Sequence, residues 1–251
     1  MRRSTSTTSS KSASAPPRPL SGTRATAVIA AAGSGSRLGA GGPKALVPIG
    51  GRPLVAWSLD AVRRAQAIDA IVVAAPPAHV DELRELAGDD VAVVPGGASR
   101  SESVARALAA AAGEFAVVHD AARPLASPEL FDGIVAALAE DPGVAGLVAA
   151  APVIDTIKRC RGEELEVVET PDRSEFWAIQ TPQAFRADAL RAALDVPTER
   201  LATATDDASL VEAAGGRVRV YPVAEPNPKL TRPVDRFLIE ALLRERETLT
   251  R

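Results

Sequence analysis

From Thr26 onward, short runs of β-branched and small apolar residues alternate with Ala- and Leu-rich stretches of helical period, and few architectures accept that rhythm. TAVIAA (26–31), AIVVAA (70–75), VAVV (91–94), FAVVH (115–119) and VAGLVAAAPV (144–153) read as strands. The spacing predicts helices over 53–66, 78–87, 101–112 and 128–139, the first and last opened by a proline near the first helical position. Strands this apolar, each followed by a helix, describe a mostly parallel sheet covered on both faces, a doubly wound α/β domain. Aromatic residues make up only 3% of the chain while alanine fills 50 positions, so the core must be built from Ala, Val, Leu and Ile.

The rhythm breaks at 154–173. Gly162 there divides two short runs dense in charge, TIKRC and LEVVE, which are too polar for central strands. This segment reads as a β-hairpin arm projecting from the domain, and exposed edges of that kind usually pair with something. Beyond it, 186–193 and 206–214 read as helices and 217–222 as a strand. The stretch 233–246 reads as an amphipathic last helix with Phe237, Leu238, Ala241 and Leu242 on one face. Residues 1–24 hold eleven Ser or Thr, five basic residues and no acidic one, the composition of a disordered tail. An acid-poor, Ser-rich tail also suits an organelle transit segment. The Ala/Arg-rich usage continues through the whole chain and favours a bacterial extension, and hence the cytoplasm over a plastid.

The net charge of −3 gives no footprint for nucleic acid, and no apolar run reaches the ~18 residues that span a bilayer. A lone Cys160 and two histidines provide neither a disulfide nor a zinc cluster. Twenty-five of the 29 basic residues are Arg, which makes the four lysines, Lys11, Lys44, Lys158 and Lys229, worth following.

The first strand runs into AAGSGSRLGAGGPKA (31–45), with glycines at 33, 35, 39, 41 and 42 ahead of Pro43-Lys44. Glycines this dense let backbone N–H groups surround phosphate oxygens, and the loop after the first strand is where open α/β sheets place ligands. The spacing is not G-x-G-x-x-G, because the third glycine comes one residue late, and no Gly-Lys-Ser or Gly-Lys-Thr exists for a Walker loop. Arg37 and Lys44 in the same loop favour a triphosphate over a bland connector.

This loop, with PGGASRSESV (95–104), VHDAARP (118–124), DTIKR (155–159), DRSEFWAIQTPQAF (172–185), TDDASLVE (205–212) and NPKLTRPVD (227–235), closely resembles the 2-C-methyl-D-erythritol 4-phosphate cytidylyltransferase family. The resemblance implies a Rossmann-like nucleotidyltransferase domain over 25–251. It also implies CTP and a polyol phosphate as substrates, Mg²⁺ or another divalent cation, and a homodimer formed through the arm. By the same resemblance Arg37 and Lys44 hold the triphosphate. Ala31, Ala32, Gly33, Gly35, Gly97 and Ser103, with the intervening Arg100, form the base and ribose side. Asp120, Ala121 and Arg123 face the ribose or the second substrate. Thr156 and Arg173 reach from the arm into the partner's site, while Thr205 and Lys229 complete the site in cis. Arg173 and Lys229 position the attacking phosphate.

Blander readings stand beside these: Asp120 as a loop carboxylate paired with Arg123, Ser103 as a first-turn helix residue, His119 as a packed core histidine, Lys158 as solvated hairpin charge. Pro228, where an ordinary apolar residue is expected, stiffens the loop that carries Lys229. The length leaves no room for the cyclase domain sometimes fused to this family. A phosphate monoester is already anionic at neutral pH, so the absence of a catalytic His or Cys suits an in-line attack on the α-phosphorus of CTP. The alternatives are ribitol-5-phosphate cytidylyltransferase, which has similar loops, and a catalytically silent nucleotide-binding protein.

Overall fold

The computed structural model describes residues 25–35, 38–39 and 41–249. The segment 1–24, read above as a tail, and Arg37 of the glycine-rich loop lie outside them. Seven strands form the main sheet: β1 (Ala25–Ala30), β4 (Ile68–Ala75), β5 (Val91–Pro95), β6 (Phe115–Asp120), β7 (Gly146–Pro152), β10 (Trp177–Arg186) and β11 (Val218–Pro222). A minor hairpin, β2 (Pro48–Ile49) with β3 (Arg52–Pro53), follows the first loop. The order across the main sheet is β11-β7-β10-β6-β1-β4-β5. Every pairing is parallel except those of β10, which runs antiparallel to both β6 and β7. The strand order turns at β1, which has β4 on one side and β6 on the other, and their carboxyl ends open the crevice in which such sheets bind ligands.

The strands alternate as a two-sided sheet demands. Ala27 and Ile29 of β1 pack on one face with α1 (Leu54–Arg64), α2 (Val80–Ala87) and α4 (Pro128–Glu140), through Val55, Leu59, Leu83, Phe131 and Ile134. Val28 turns to the other face and joins α3 (Arg100–Ala109), α5 (Ala187–Leu194), α6 (Thr198–Thr203) and α7 (Asp207–Ala213), through Val104, Leu108, Leu190, Leu201 and Val211. Each of these large side chains is nearly or fully buried, so each contributes about 1.5–3 kcal/mol of transfer free energy. α3 and α4 start on Ser99 and Ser127, whose side chains accept the N–H of Glu102 and Leu130 as N-caps.

The structure adds one strand that the sequence reading leaves out and shifts the buried stripe of the last helix. β10 is a full ten-residue strand through the middle of the sheet, although Pro182 argues against a central strand. Its pairing with β7 is irregular between Ile179 and Gln183, and the proline, which has no N–H to donate, falls inside that break. The last helix, α8 (Pro233–Leu249), buries Ile239 and Leu243 rather than the expected stripe, and Phe237 and Leu238 are 73% and 53% exposed. Its seat is a small third cluster of Ile49, Leu54, Leu125 and Leu230, against which Leu242 of the expected stripe also packs in part.

The arm stands apart from the main sheet as β8 (Arg159–Arg161) and β9 (Glu166–Glu169), paired antiparallel about Gly162. All residues of both strands are exposed.

Candidate active site

Three loops at the carboxyl ends of β1, β5 and β6, with the segment before α8, enclose a cleft of about 440 Å³. In the first loop Gly35 adopts φ +70°, and a Cβ there would meet the Lys44 Cβ at 3.2 Å and the Gly42 carbonyl at 3.3 Å. A residue with a side chain would be strained in that backbone conformation and would push apart the two limbs of the loop. The Lys44 N–H closes the turn by donating to the Gly33 carbonyl at 3.2 Å.

In the second loop the Gly96 N–H donates to the Ala75 carbonyl at 2.7 Å and the Gly97 N–H to Ser103 Oγ at 3.0 Å. Ser103 is therefore more than a first-turn residue. Its hydroxyl donates to the Ser99 carbonyl at 2.8 Å and ties the loop to α3. Glu102 completes the cap by accepting the Ala98 N–H at 2.8 Å.

At the end of β6 Asp120 is nearly buried, and its two oxygens are taken by two cations. Arg100 Nε donates to Oδ1 at 2.9 Å and Lys229 Nζ to Oδ2 at 2.6 Å. A second carboxylate, the fully buried Asp207, accepts from another nitrogen of Arg100 at 2.6 Å. The row runs Asp207, Arg100, Asp120, Lys229, with alternating charge. Burial alone would push the Asp120 carboxyl up, but Arg100 and Lys229 together outweigh it and hold that group well below the usual carboxylate range. Burial raises Asp207 despite Arg100, and the two carboxylates hold Arg100 charged against its own burial. Asp120 is thus paired with Arg100 and Lys229, not with Arg123. The Arg123 guanidinium instead donates to the Asn227 carbonyl at 2.6 Å, and burial lowers its pKa.

Asp120 is fixed from behind as well. Its N–H donates to Thr181 Oγ1 at 3.0 Å, and the Thr181 hydroxyl lies 3.0 Å from His119 Nδ1. With the hydroxyl donating to Nδ1, the ring proton sits on Nε2, which donates to the Arg123 carbonyl at 3.2 Å. His119 is fully buried, edge-on to Phe131 with centroids 5.1 Å apart, and burial pushes its pKa down to about 4. It is a neutral structural histidine at physiological pH.

Beyond Asp120 a second compartment of about 460 Å³ opens between β10 and the start of α7. Arg100, Asp120 and Lys229 line both compartments and form the wall between them. The first holds Ala31, Ala32, Gly33, Gly35, Lys44, Gly97, Ser103 and Ala121. The second holds Arg123 and Thr205.

Two expected site residues are not brought to this chain's own cleft. Thr156 is exposed, and Arg173 lies at the base of the arm with its guanidinium on the Ile154 carbonyl at 2.6 Å. Lys158 is exposed and donates to Thr170 Oγ1 at 2.7 Å.

Sequence reasoning passed over Thr181, Gln183 and Asp207. All three stand inside blocks quoted for their resemblance, Asp207 in TDDASLVE and the first two in DRSEFWAIQTPQAF. Reading that block as a strand would have put Thr181 and Gln183 on one face beside Asp120.

Among the described residues no three His, Cys, Asp or Glu side chains gather to hold a metal ion. Asp120 has both oxygens engaged and Asp207 is locked under Arg100, so these side chains do not fit a protein-held cation.

The sequence model of the family described as 2-C-methyl-D-erythritol 4-phosphate cytidylyltransferase matches residues 25–245. A protein of that description from Frankia casuarinae is 46% identical over 227 residues, covering 90% of this chain and 83% of its own. One from Synechococcus sp. WH7803 is 42% identical over 224 residues, covering 87% and 99%. Among solved structures, the Thermus thermophilus enzyme of the same description superposes with a TM-score of 0.72 at 34% identity, over 87% of this chain and 98% of that one. A 4-diphosphocytidyl-2C-methyl-D-erythritol synthase from Anaerococcus prevotii gives 0.75 at 30% identity, over 89% and 99%.

Proposed function

Because the chain belongs to the 2-C-methyl-D-erythritol 4-phosphate cytidylyltransferase family, we infer that its two compartments receive the two substrates of that reaction and that the wall between them is where they react. The protein is a nucleotidyltransferase of isoprenoid precursor synthesis. It transfers CMP from CTP to 2-C-methyl-D-erythritol 4-phosphate, releasing pyrophosphate and forming 4-diphosphocytidyl-2-C-methyl-D-erythritol. The observation that carries the placement is the shared wall: Arg100, Asp120 and Lys229 face both cavities at once.

In this reading CTP occupies the glycine-rich compartment. Ala31, Ala32, Gly33 and Gly35 with Gly97 and Ser103 surround the nucleoside, while Arg37 and Lys44 hold the triphosphate. The polyol phosphate enters the second compartment, against Arg123 and Thr205, while Ala121 lies on the nucleotide side. Its phosphate has a second pKa of ~6, so an anionic oxygen is available at neutral pH without a general base. That oxygen forms the new bond to the α-phosphorus from one side. On the other side the bond from that phosphorus to the bridging oxygen breaks, and the electron pair leaves with pyrophosphate. Lys229 and Arg100 stabilise the charge on the five-coordinate phosphorus, and Asp120 keeps the two cations apart and aimed. A divalent cation enters as the counter-ion of the CTP phosphates, since magnesium keeps several waters and needs no cage of protein carboxylates.

Thr156 and Arg173 act in the site of a second copy. An isolated two-stranded hairpin is marginal in water, and this one carries Ile154 and Leu165 at 82% and 71% exposure together with exposed Val167 and Val168. A homodimer built on the arms would cover that apolar surface and bring Arg173 to the partner's cleft. The relatives are bacterial, which supports a cytoplasmic enzyme, and no described helix is long and apolar enough to cross a membrane.

The test is pyrophosphate release with CTP and Mg²⁺, comparing 2-C-methyl-D-erythritol 4-phosphate with ribitol 5-phosphate and using Lys44→Ala as the blank. Release with the first substrate, lost in the variant, is the expected outcome. Release with ribitol phosphate alone would reassign the second compartment.

A further inference from the structure

Arg100 reaches the wall from the start of α3, and two carboxylates meet its guanidinium on different nitrogens. Nε donates to Asp120 at 2.9 Å and Nη1 to Asp207 at 2.6 Å. The third nitrogen, Nη2, has no partner among the described residues, yet it is not one of the buried unpartnered atoms. It therefore keeps accessible surface, on a side chain that borders both compartments.

Charge balance does not call for Asp207. Asp120 already stands against Arg100 as a counter-charge, and a buried ion pair adds little to stability because desolvation offsets its attraction. Asp207 is 0% exposed, and its Oδ1 is buried without a partner among the described residues. What the second contact adds is direction. Held through Nε alone, the planar guanidinium could turn about that one bond. Held on two nitrogens by two separate elements, its plane is fixed.

Asp207 is itself a fixed post. Asp206 before it caps α7 by accepting the Ser209 N–H at 2.9 Å and takes Gln183 Nε2 of β10 at 3.2 Å. Ala208, Leu210 and Val211 after it are buried against the sheet. Asp207 lines neither compartment, and its side chain bonds only Arg100 among the described residues, so whatever it does for the reaction passes through that guanidinium.

We propose that Asp207 is a positioning residue for the reaction, its carboxylate fixing the plane of the Arg100 guanidinium so that Nη2 is presented at the wall between the two compartments. The assignment rests on the role given to Arg100 above and adds to it the group that aims it.

The experiment is steady-state pyrophosphate release with CTP, Mg²⁺ and 2-C-methyl-D-erythritol 4-phosphate by the wild type, Asp207→Ala, Arg100→Lys and the double variant. Thermal midpoints are read on the same preparations. Asp207→Ala should lower kcat by ~10–100-fold with the KM for CTP nearly unchanged, since the aim of one group is lost and not the pocket. Asp207→Asn, which keeps an acceptor at the same reach, should recover most of that loss. A lysine has no planar fork to aim, so in the Arg100→Lys background Asp207→Ala should change kcat by less than ~threefold. Asp207→Ser repeats the test if the Ala variant does not fold. An unchanged kcat, an equal loss in both backgrounds, no recovery with Asn, or a fall in midpoint matching the fall in rate each overturns the assignment and leaves the reaction standing. A wild type that releases no pyrophosphate overturns both.

Discussion

Lys229 and Asp120 are 109 positions apart, yet Nζ of one lies 2.6 Å from Oδ2 of the other. The contact is made where the end of β6 meets the segment leading to α8. Two anchors hold that segment: the Leu230 N–H donates to the Ala122 carbonyl at 2.8 Å, and the Leu230 side chain is fully buried in the third cluster. Pro228, which stiffens the loop that carries Lys229, lies between Asn227 and the Leu230 anchor. The Asn227 side chain donates to the Thr181 carbonyl at 2.8 Å, so the loop is pinned on both sides of the lysine.

Lys229→Ala should therefore lower kcat by ~10²–10³ with little loss of stability. The lysine is partly exposed, and Asp120 keeps its bond to Arg100. Single-turnover rates and thermal midpoints, measured on the same preparations, check this. A fall in midpoint matching the fall in rate would mean that the contact serves the fold rather than the reaction.

The state of His119 makes stability depend on pH in a defined window. Its folded pKa of about 4 is depressed below the unfolded value of ~6.5, because burial disfavours the charged ring. A histidine held neutral contributes stability that is present above the unfolded pKa and is lost as pH falls toward the folded one. Between pH ~6.5 and ~4 the unfolded chain binds the extra proton, at about 1.4 kcal/mol per unit, for a loss on the order of 3 kcal/mol. Urea denaturation across that range should show the slope, and His119→Gln should flatten it.

Asp120 acts lower on the scale and with a different cause. Arg100 and Lys229 hold its carboxyl below the usual range, so its contribution persists through that window and declines only below the unfolded value of ~3.9. Acid unfolding of Asp120→Asn should therefore show less loss below pH ~4 than the wild type.

Gly96 tests the packing behind the nucleotide compartment. A Cβ there would fall 2.5 Å from the Ala32 Cβ, 2.9 Å from Ser103 Oγ and 3.1 Å from the Ala75 carbonyl. None of these belongs to a long flexible side chain, so Gly96→Ala must separate the loops after β1 and β5. The expected cost is ~1–3 kcal/mol of stability together with weaker CTP binding. Calorimetric titration with CTP and a melting curve read the two effects, and unaltered affinity would show that the loops move apart without consequence.

The strand and helix rhythm made the two-sided sheet legible, because Ala27, Val28 and Ile29 alternate between faces and the helices carry matching apolar stripes. The glycine spacing likewise placed Lys44 at the cleft. What stayed hidden was whatever depends on long-range partners. Pro182 keeps β10 out of the strand rhythm, and with it Thr181 and Gln183, which lie beside Asp120 and Asp206. Nothing local marks Arg100 as the bridge between Asp120 and Asp207, since those partners lie 20 and 107 positions away. On α8 the periodicity showed an amphipathic helix but not which stripe would be covered, because the seat is formed by Ile49, Leu54 and Leu125 from elsewhere in the chain.

The arm permits a test of which copy each cation serves. Arg173 stands on the arm, away from this chain's own compartments, while Lys229 lines both of them. If Arg173 serves the partner's cleft, Arg173→Ala and Lys229→Ala each disable both sites of a symmetric dimer. Refolding an equal mixture of the two variants makes about half of the dimers mixed. In a mixed dimer, the cleft on the Arg173→Ala chain keeps its own Lys229 and receives an intact Arg173 from its partner. The other cleft lacks both cations. About a quarter of the wild-type sites should then return from two inactive preparations. If Arg173 served its own chain, each cleft of the mixed dimer would still lack one cation, and mixing would restore nothing. Pyrophosphate release before and after co-refolding reads the difference directly.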